Sequence, residues 1–449
     1  MRPPTVGRNA GAVCAMVRLV SSEVIMKRAS VTWFVATLMS TVVIVVNHAA
    51  QQGAQLSASP GSNTPMVFDT VTKQKIRVVT VASGLMHPWS IAFLPDGHTM
   101  LVADRSGQLR VVRDGVLDPT PISGLPMSES FKSVPTRPGM QGILPGPDRL
   151  NEVTLHPQFA QNHLVYLSYP KHGELGNTIA VARGRLEGMT LKDVRDILVA
   201  DAWETSGNLG GKMLFGPDGT LYVTVGDRDR LCCVDYDDNS IRMKAQDLSN
   251  HIGKTLRIKD DGSVPPDNPF VGSAGAKPEV FTYGHRNGYG LAFHPETGAL
   301  WQAEIGPMGG DELNILLPGR NFGWPLVSMG RNYTGTLVSD QPWSRPGMEN
   351  PRVFWVPSIS PSGLAFYTGD KFPTWKGSLF VGSLNAKQLQ RLSFGQPGQA
   401  ERRESLLTQL DVRIRDVRQG PDDNLYVATE KQASGEDLDG NVLRIEPAQ

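Results

Sequence analysis

One phrase recurs six times along this chain and limits what it can become: two or three apolar residues, a turn centred on proline, then a β-rich run. The copies are Ile91-Ala-Phe-Leu-Pro95, Val153-Thr-Leu-His-Pro157, Met213-Leu-Phe-Gly-Pro217, Leu291-Ala-Phe-His-Pro295, Leu364-Ala-Phe-Tyr-Thr368 and Val417-Arg-Gln-Gly-Pro421, with Thr368 taking the proline slot in the fifth. Their intervals are 62, 60, 78, 73 and 53 residues. A short strand-like run follows each turn, as in Met100–Ala103, Leu164–Leu167, Leu221–Val225, Leu300–Ala303, Ser378–Val381 and Leu425–Ala428. Self-similarity at a long period marks a repeat architecture. Short strands between turn residues, without a helical period, make each unit a small sheet. The chain is therefore expected to be all-β, a six-bladed β-propeller. The units exceed the roughly 40–45 residues of a minimal blade, so the excess sits in loops, which carry function in such folds. Ile76–Val81 precedes the first repeat and is expected to pair into the last blade, closing the ring and removing exposed sheet edges.

Composition narrows the class. The 44 Lys and Arg balance 44 Asp and Glu, which argues against a nucleic-acid binder. The 47 Gly and 33 Pro show no collagen period and suit a turn-rich β protein. Residues 1–50 read as a leader, either a signal peptide or an N-terminal anchor. Lys27 and Arg28 precede an apolar run, Val31–Val46, and small residues follow it. That run has 16 residues, short of the about 20 that a spanning helix needs. Met26 is an alternative start. Residues 51–70, rich in Gln, Ser, Gly and Pro, read as a flexible linker, and 71–449 as the propeller. Without the leader the chain holds 39 basic and 43 acidic residues. The expectation is an exported protein, periplasmic or secreted, with a membrane tether through the leader as the alternative. Its partner is a small molecule. Past the leader only Cys232 and Cys233 remain, which excludes a disulfide scaffold and leaves either a vicinal disulfide or two thiols.

Four stretches carry chemistry. In Tyr283-Gly-His-Arg-Asn-Gly-Tyr289, Arg286 offers a planar fork for a carboxylate and Asn287 a donor and an acceptor. The bland alternative is a turn Asn beside a solvated Arg. Glu304-Ile-Gly-Pro-Met-Gly-Gly-Asp-Glu312 combines glycine turns with acids, and carbonyls and carboxylates are calcium ligands. The alternative is an acidic turn. In Asp411-Val-Arg-Ile-Arg-Asp416, Arg413 and Arg415 share one face of a strand and need an anion, with Asp411 and Asp416 the local candidates. Asp227 sits at a strand end, as base or acceptor. His156 and His294, each before a repeat proline, read as structural.

Together, Gly84-Leu-Met-His-Pro-Trp-Ser-Ile-Ala-Phe-Leu-Pro-Asp-Gly97, Ala245–Ile258, Gly284-His-Arg-Asn287, Gly306-Pro-Met-Gly-Gly-Asp-Glu312 and Asn321-Phe-Gly-Trp-Pro325 resemble the soluble quinoprotein glucose/aldose dehydrogenases, the glucose/sorbosone dehydrogenase family. The resemblance implies a six-bladed propeller. It also implies oxidation of the anomeric C1–OH of an aldose to a lactone, with hydride transfer to pyrroloquinoline quinone (PQQ). By that resemblance Arg286, Asn287, Arg413 and Arg415 hold the cofactor, and Trp355 forms an aromatic wall. The carbonyls of Gly306 and Pro307 bind the cofactor's calcium, and Glu312 serves a second Ca2+. Gln141 and Asp227 take the sugar-side positions, and the partners are a sugar and an external electron acceptor.

Two positions depart from the family pattern. Asn208 stands where the family has its catalytic His, and an amide cannot take a proton as imidazole does. Asn385 stands where a Lys contacts the quinone, with Lys387 the nearest compensating charge. Losing a general base costs about 10²–10⁴-fold. Either another group serves, Asp227 or His285 being nearest, or the substrate differs, or the protein binds without turnover. A calcium-dependent lactonase is a third class of reading, disfavoured because the Gly306-Pro307 loop offers carbonyls rather than side chains.

Overall fold

The computed structural model describes residues 65–126, 150–205, 207–229, 240–395, 400–431 and 438–448. The leader, Gln141, Cys232 and Cys233 lie outside the described residues. Six antiparallel sheets are present, five of four strands and one of five. Their first strands are Ser90–Phe93, Glu152–Leu155, Gly210–Phe215, Gly288–Phe293, Pro361–Phe366 and Arg413–Gln419. Each first strand touches the first strand of the next sheet, and the sixth touches the first, which makes a closed ring of six blades. The repeated phrase is the end of each first strand and its turn, and the run after it is the second strand.

Each pair of neighbouring blades encloses its own apolar seam. Leu101, Val111, Val153 and Val165 pack between blades one and two. Tyr222, Leu291, Leu300 and Phe322 pack between blades three and four. Alternation along the strands supplies these faces, because a period of two sends every second side chain to the same seam.

The ring closes as expected. Ile76–Leu85 pairs antiparallel with Gly440–Pro447 and completes the sixth blade behind Leu425–Glu430 and Arg413–Gln419. The tail of the segment read as linker is ordered. Met66–Phe68 adds a fifth strand, in register with Ile76–Val78, because Met66 and Phe68 reach the seam of the fifth and sixth blades.

Three buried charges and one partly buried arginine bind the first strands of three blades. Lys212 Nζ reaches Glu152 at 2.9 Å and Asp416 at 2.8 Å. Arg418 pairs with the same two carboxylates. Asp416 also accepts the Ile91 N–H of blade one at 3.0 Å. Asp416 is therefore committed to the axis and is not the partner of Arg413 and Arg415.

Candidate active site

Antiparallel pairing puts the start of every first strand beside the end of every second strand, all on one face of the ring. Chemistry-bearing residues collect there. Trp89, Asn208, Arg286, Asn287 and Arg413 lie at starts, whereas Asp227, Glu304 and Glu430 lie at ends.

Blade six contributes a cationic corner. Arg413 and Arg415 keep one face of their strand, although a register shift lies between Ile414 and Asp416. Both donate to Glu430 Oε1, at 2.8 and 2.6 Å, and His87 Nδ1 lies 2.8 Å from Oε2. Their shared carboxylate is thus Glu430, on the adjacent strand, while Asp411 pairs with Lys387 at 2.8 Å. Burial would raise the Glu430 carboxyl. Arg415, the His87 hydrogen bond and Arg413 outweigh it and hold the group far below the carboxylate range. Arg105 is close enough for Arg415 to depress its own pKa, behind burial as the larger cause, so a third cation belongs here. The Arg415 guanidinium lies 4.1 Å from the centre of the Trp89 ring, and Trp89 meets Tyr289 edge-on at 5.7 Å. These two rings bridge the corner to the opposite side of the ring.

That opposite side is built on Arg286. Its backbone is fixed at both ends, with its N–H donating to Glu304 Oε2 at 2.7 Å and its carbonyl accepting from Asp227 N at 2.7 Å. Gly284 N and His285 N are held by the carbonyls of Ala245 and Gly253. The Arg286 guanidinium donates to the carbonyls of Ile305 and Gly306, at 2.9 and 2.8 Å, and lies 3.5 Å from Asp229. Arg242 joins it, 3.1 Å from the same Asp229 oxygen and 2.7 Å from Asn332 Oδ1. Both guanidinium groups lie over Trp324, at 5.4 and 5.5 Å. Cations on an aromatic face gain from the ring quadrupole, more so when desolvated.

The Gly306 turn follows from its sequence. A Cβ on Gly306 would lie 2.3 Å from the Gly309 carbonyl, so only glycine fits. Asp311 locks the turn by accepting from Gly306 N, Ile359 N and Ser360 N, at 2.7–2.9 Å, and from the Ser358 hydroxyl.

Asn208 and Asp227 meet as a buried pair. Asn208 Nδ2 donates to Asp227 Oδ1 at 2.9 Å, and Asp229 N donates to the same oxygen at 3.0 Å. Asp227 Oδ2, Asn287 Oδ1 and Arg286 Nε are buried with no hydrogen-bond partner among the described residues. Burial first, then the like charge of Asp229, pushes the Asp227 carboxyl up to about 6.

Other expected residues fall elsewhere. Trp355 is a correction. It is 4 % exposed in the seam of blades four and five, and its indole donates to Gln390 at 2.7 Å. On its strand Val353 and Trp355 face the core while Phe354 faces out, so alternation commits Trp355 to packing. The aromatic rings at the site are instead those of Trp89, Tyr289 and Trp324. Asn385 is exposed and reaches only the Ser358 carbonyl at 3.4 Å. Glu312 lies opposite Glu304, and both share Asn314. Burial and the Glu304 charge raise its carboxyl well above the usual range. His285 is engaged by Glu304, Thr282 and Gln302 and stacks on Phe322. His156 and His294 cap their turns through Nδ1, as their place before proline implies. Asp229, Arg242, Trp324 and Glu430 were not singled out by the sequence.

The family pattern for glucose/sorbosone dehydrogenases matches residues 85–441, nearly the whole ring. The chain belongs to the glucose/sorbosone dehydrogenase family. Aldose sugar dehydrogenase YliI of Escherichia coli is 37% identical over 83% of this chain and 93% of its own. The apo-form structure of the soluble aldose sugar dehydrogenase from Escherichia coli shares 36% identity and a TM-score of 0.72, covering 83% of this chain and all of its own (100%). The PQQ-bound aldose sugar dehydrogenase of Streptomyces coelicolor shares 26% identity and a TM-score of 0.60, covering 86% of this chain and 99% of its own. This is a family of sugar oxidoreductases, and the six-bladed ring is its fold.

Proposed function

We propose that the chain is a PQQ-dependent sugar dehydrogenase that oxidises the anomeric C1–OH of an aldose, or a related sugar alcohol, to the lactone. One observation carries the reading. The ring face joins a cationic corner to buried polar atoms that lack partners: the acceptors Asp227 Oδ2 and Asn287 Oδ1, and the donor Arg286 Nε. Sugar hydroxyls supply the missing donors, and an acidic, carbonyl-rich quinone supplies the missing acceptor. A buried polar atom left unpaired in a native protein calls for a partner, whether a ligand, a water or an ion.

In this reading Arg286 and Asn287 hold one edge of the quinone. Arg413 and Arg415, fixed by Glu430, answer its carboxylates. The bound quinone supplies the acceptor for the hydride. The chain's own residues orient the sugar and hold the proton from its hydroxyl. Calcium belongs to this reading by resemblance alone. The Gly306 carbonyl already accepts from Arg286, and the described residues contain no group of three or more His, Cys, Asp or Glu placed to hold a metal. Export through residues 1–50 and an external electron acceptor complete the proposal. Among the described residues no helix is long and apolar enough to cross a membrane.

A second reading, binding of sugar or quinone without turnover, is favoured by one residue. The amide of Asn208 occupies the position the resemblance gives to histidine. Reconstituting the purified protein with PQQ, with and without calcium, separates the two. Saturable change in the quinone spectrum plus dye reduction with an aldose panel supports the dehydrogenase. Binding without dye reduction supports the second reading. Absence of binding rejects the cofactor.

A further inference from the structure

Resting on the dehydrogenase reading, we infer that Asp227 is the general base of this site and that Asn208 is its positioning residue. The two nearest candidates differ in what their polar atoms already do. His285 has both ring nitrogens engaged, Nε2 with Thr282 at 2.8 Å and Nδ1 with Glu304 at 3.0 Å, and its ring stacks on Phe322 at 4.8 Å. It is a strut between the last strand of blade three and the second strand of blade four and has no nitrogen to offer. Asp227 is divided. Oδ1 takes two N–H donors, from Asn208 and from Asp229. Oδ2 takes none among the described residues and is shielded from water.

Two donors on one oxygen fix the plane of the carboxylate and direct the lone pairs of the other. Asn208 suits this task because it cannot share the proton. An imidazole here would accept or release it, whereas an amide donates one hydrogen bond and stays neutral. The same residue that removes a base therefore orients another.

The charges facing Asp227 set its working range. Asp229 raises it behind burial, while Arg286 and the Asn208 hydrogen bond lower it. Arg242 acts indirectly by pairing with Asp229 at 3.1 Å. Arg228, the residue between, turns its guanidinium to the carbonyls of Gly207, Asn208 and Asn177. The balance leaves a base that is ionised at neutral pH and basic enough to accept a proton in the transition state.

The C1–H bond breaks with its electron pair passing to the quinone as hydride. The O–H bond breaks with its proton passing to Asp227 Oδ2. The C1–O bond becomes a carbonyl, and the proton leaves Asp227 to solvent in the next stage.

The test compares wild type, Asp227→Asn and Asn208→Ala. First, apo-protein carrying 13C-labelled aspartate is titrated by NMR. A carboxyl with a midpoint near 6 is expected in wild type and is absent in Asp227→Asn. Second, PQQ binding is followed by absorbance. Asp227→Asn is expected to bind at least as tightly as wild type, since a negative charge beside Arg286 is gone. Third, in the loaded protein Asp227→Asn is expected to lose about 10²–10⁴-fold in kcat. Asn208→Ala is expected to keep the titrating carboxyl, shift its midpoint upward and lose less in kcat. Matching thermal unfolding of the variants excludes misfolding. An Asp227→Asn enzyme within threefold of wild type, with an unchanged pH profile, overturns the assignment alone. A loaded wild type that binds PQQ and turns over no sugar overturns this inference and the dehydrogenase reading together.

Discussion

The two sides of the ring face solve opposite problems with the same residue types. At the blade-six corner one carboxylate, Glu430, serves Arg413, Arg415 and His87, and both its oxygens are occupied. At the blade-three corner two carboxylates, Asp227 and Asp229, meet Arg286 and Arg242, and one oxygen is left over. Their carboxyl groups move in opposite directions, Glu430 down and Asp227 up to about 6. An excess of cations yields a fixed anion-binding corner. A buried carboxylate beside a like charge, with one oxygen unpaired, yields a group able to exchange a proton.

The largest expected effect comes from unbalancing the fixed corner. Glu430→Gln leaves the buried Arg415 and the partly buried Arg413 without their shared anion and should cost about 3–5 kcal/mol in denaturant unfolding, with PQQ affinity lost. A cost under about 1 kcal/mol would show that the corner is solvated and not structural. Next, the two carboxylates should affect stability with opposite sign. Glu430 is depressed, so its contribution is present above the unfolded carboxylate pKa and is lost as pH falls through its folded value. Asp227 is raised, so ionising it costs stability, from about pH 4 upward and fully above about 6. Asp227→Asn should therefore stabilise the protein by about 1–3 kcal/mol at pH 7–8, with the gain vanishing near pH 4 in urea titrations. A gain that is independent of pH would remove ionisation as its cause. A smaller effect is expected from Asp229→Asn. Without its like charge the Asp227 midpoint, and the acid limb of kcat, should move to lower pH. A limb that stays in place would assign the shift to burial alone. Smallest is Asn385→Ala, which removes an exposed side chain with one long contact and should change stability by less than about 0.5 kcal/mol. Unchanged PQQ affinity in that variant would place Asn385 outside the cofactor's reach.

What could be read from the chain follows the range of the interactions involved. The six blades were legible because a turn such as Leu94-Pro-Asp-Gly97 is specified by adjacent residues. The common face of Arg413 and Arg415 was legible from a period of two. Their partner was not, because Glu430 reaches them through strand pairing, and proximity in sequence favoured Asp411 and Asp416. Arg242 and Trp324 meet Arg286 from separate loops, so no local pattern marks them. Trp355 was misplaced by resemblance, although the apolar alternation around it indicates core. Asp227 stood out at a strand end. Its unequal oxygens became visible only once Asn208 and Asp229 were placed around it.

The closure of blade six has a consequence for timing. Residues 76–85 pair with 440–447, so the ends of the ring must meet across the full length of the chain. Pairings between such distant segments form late and slowly. Glu430 lies on the strand beside that last one, and the cationic corner has no rigid backing until it is seated. A growing chain on the ribosome therefore carries no finished pocket. Cofactor capture becomes a step of maturation, taken once by a complete ring and in whichever compartment that ring first assembles.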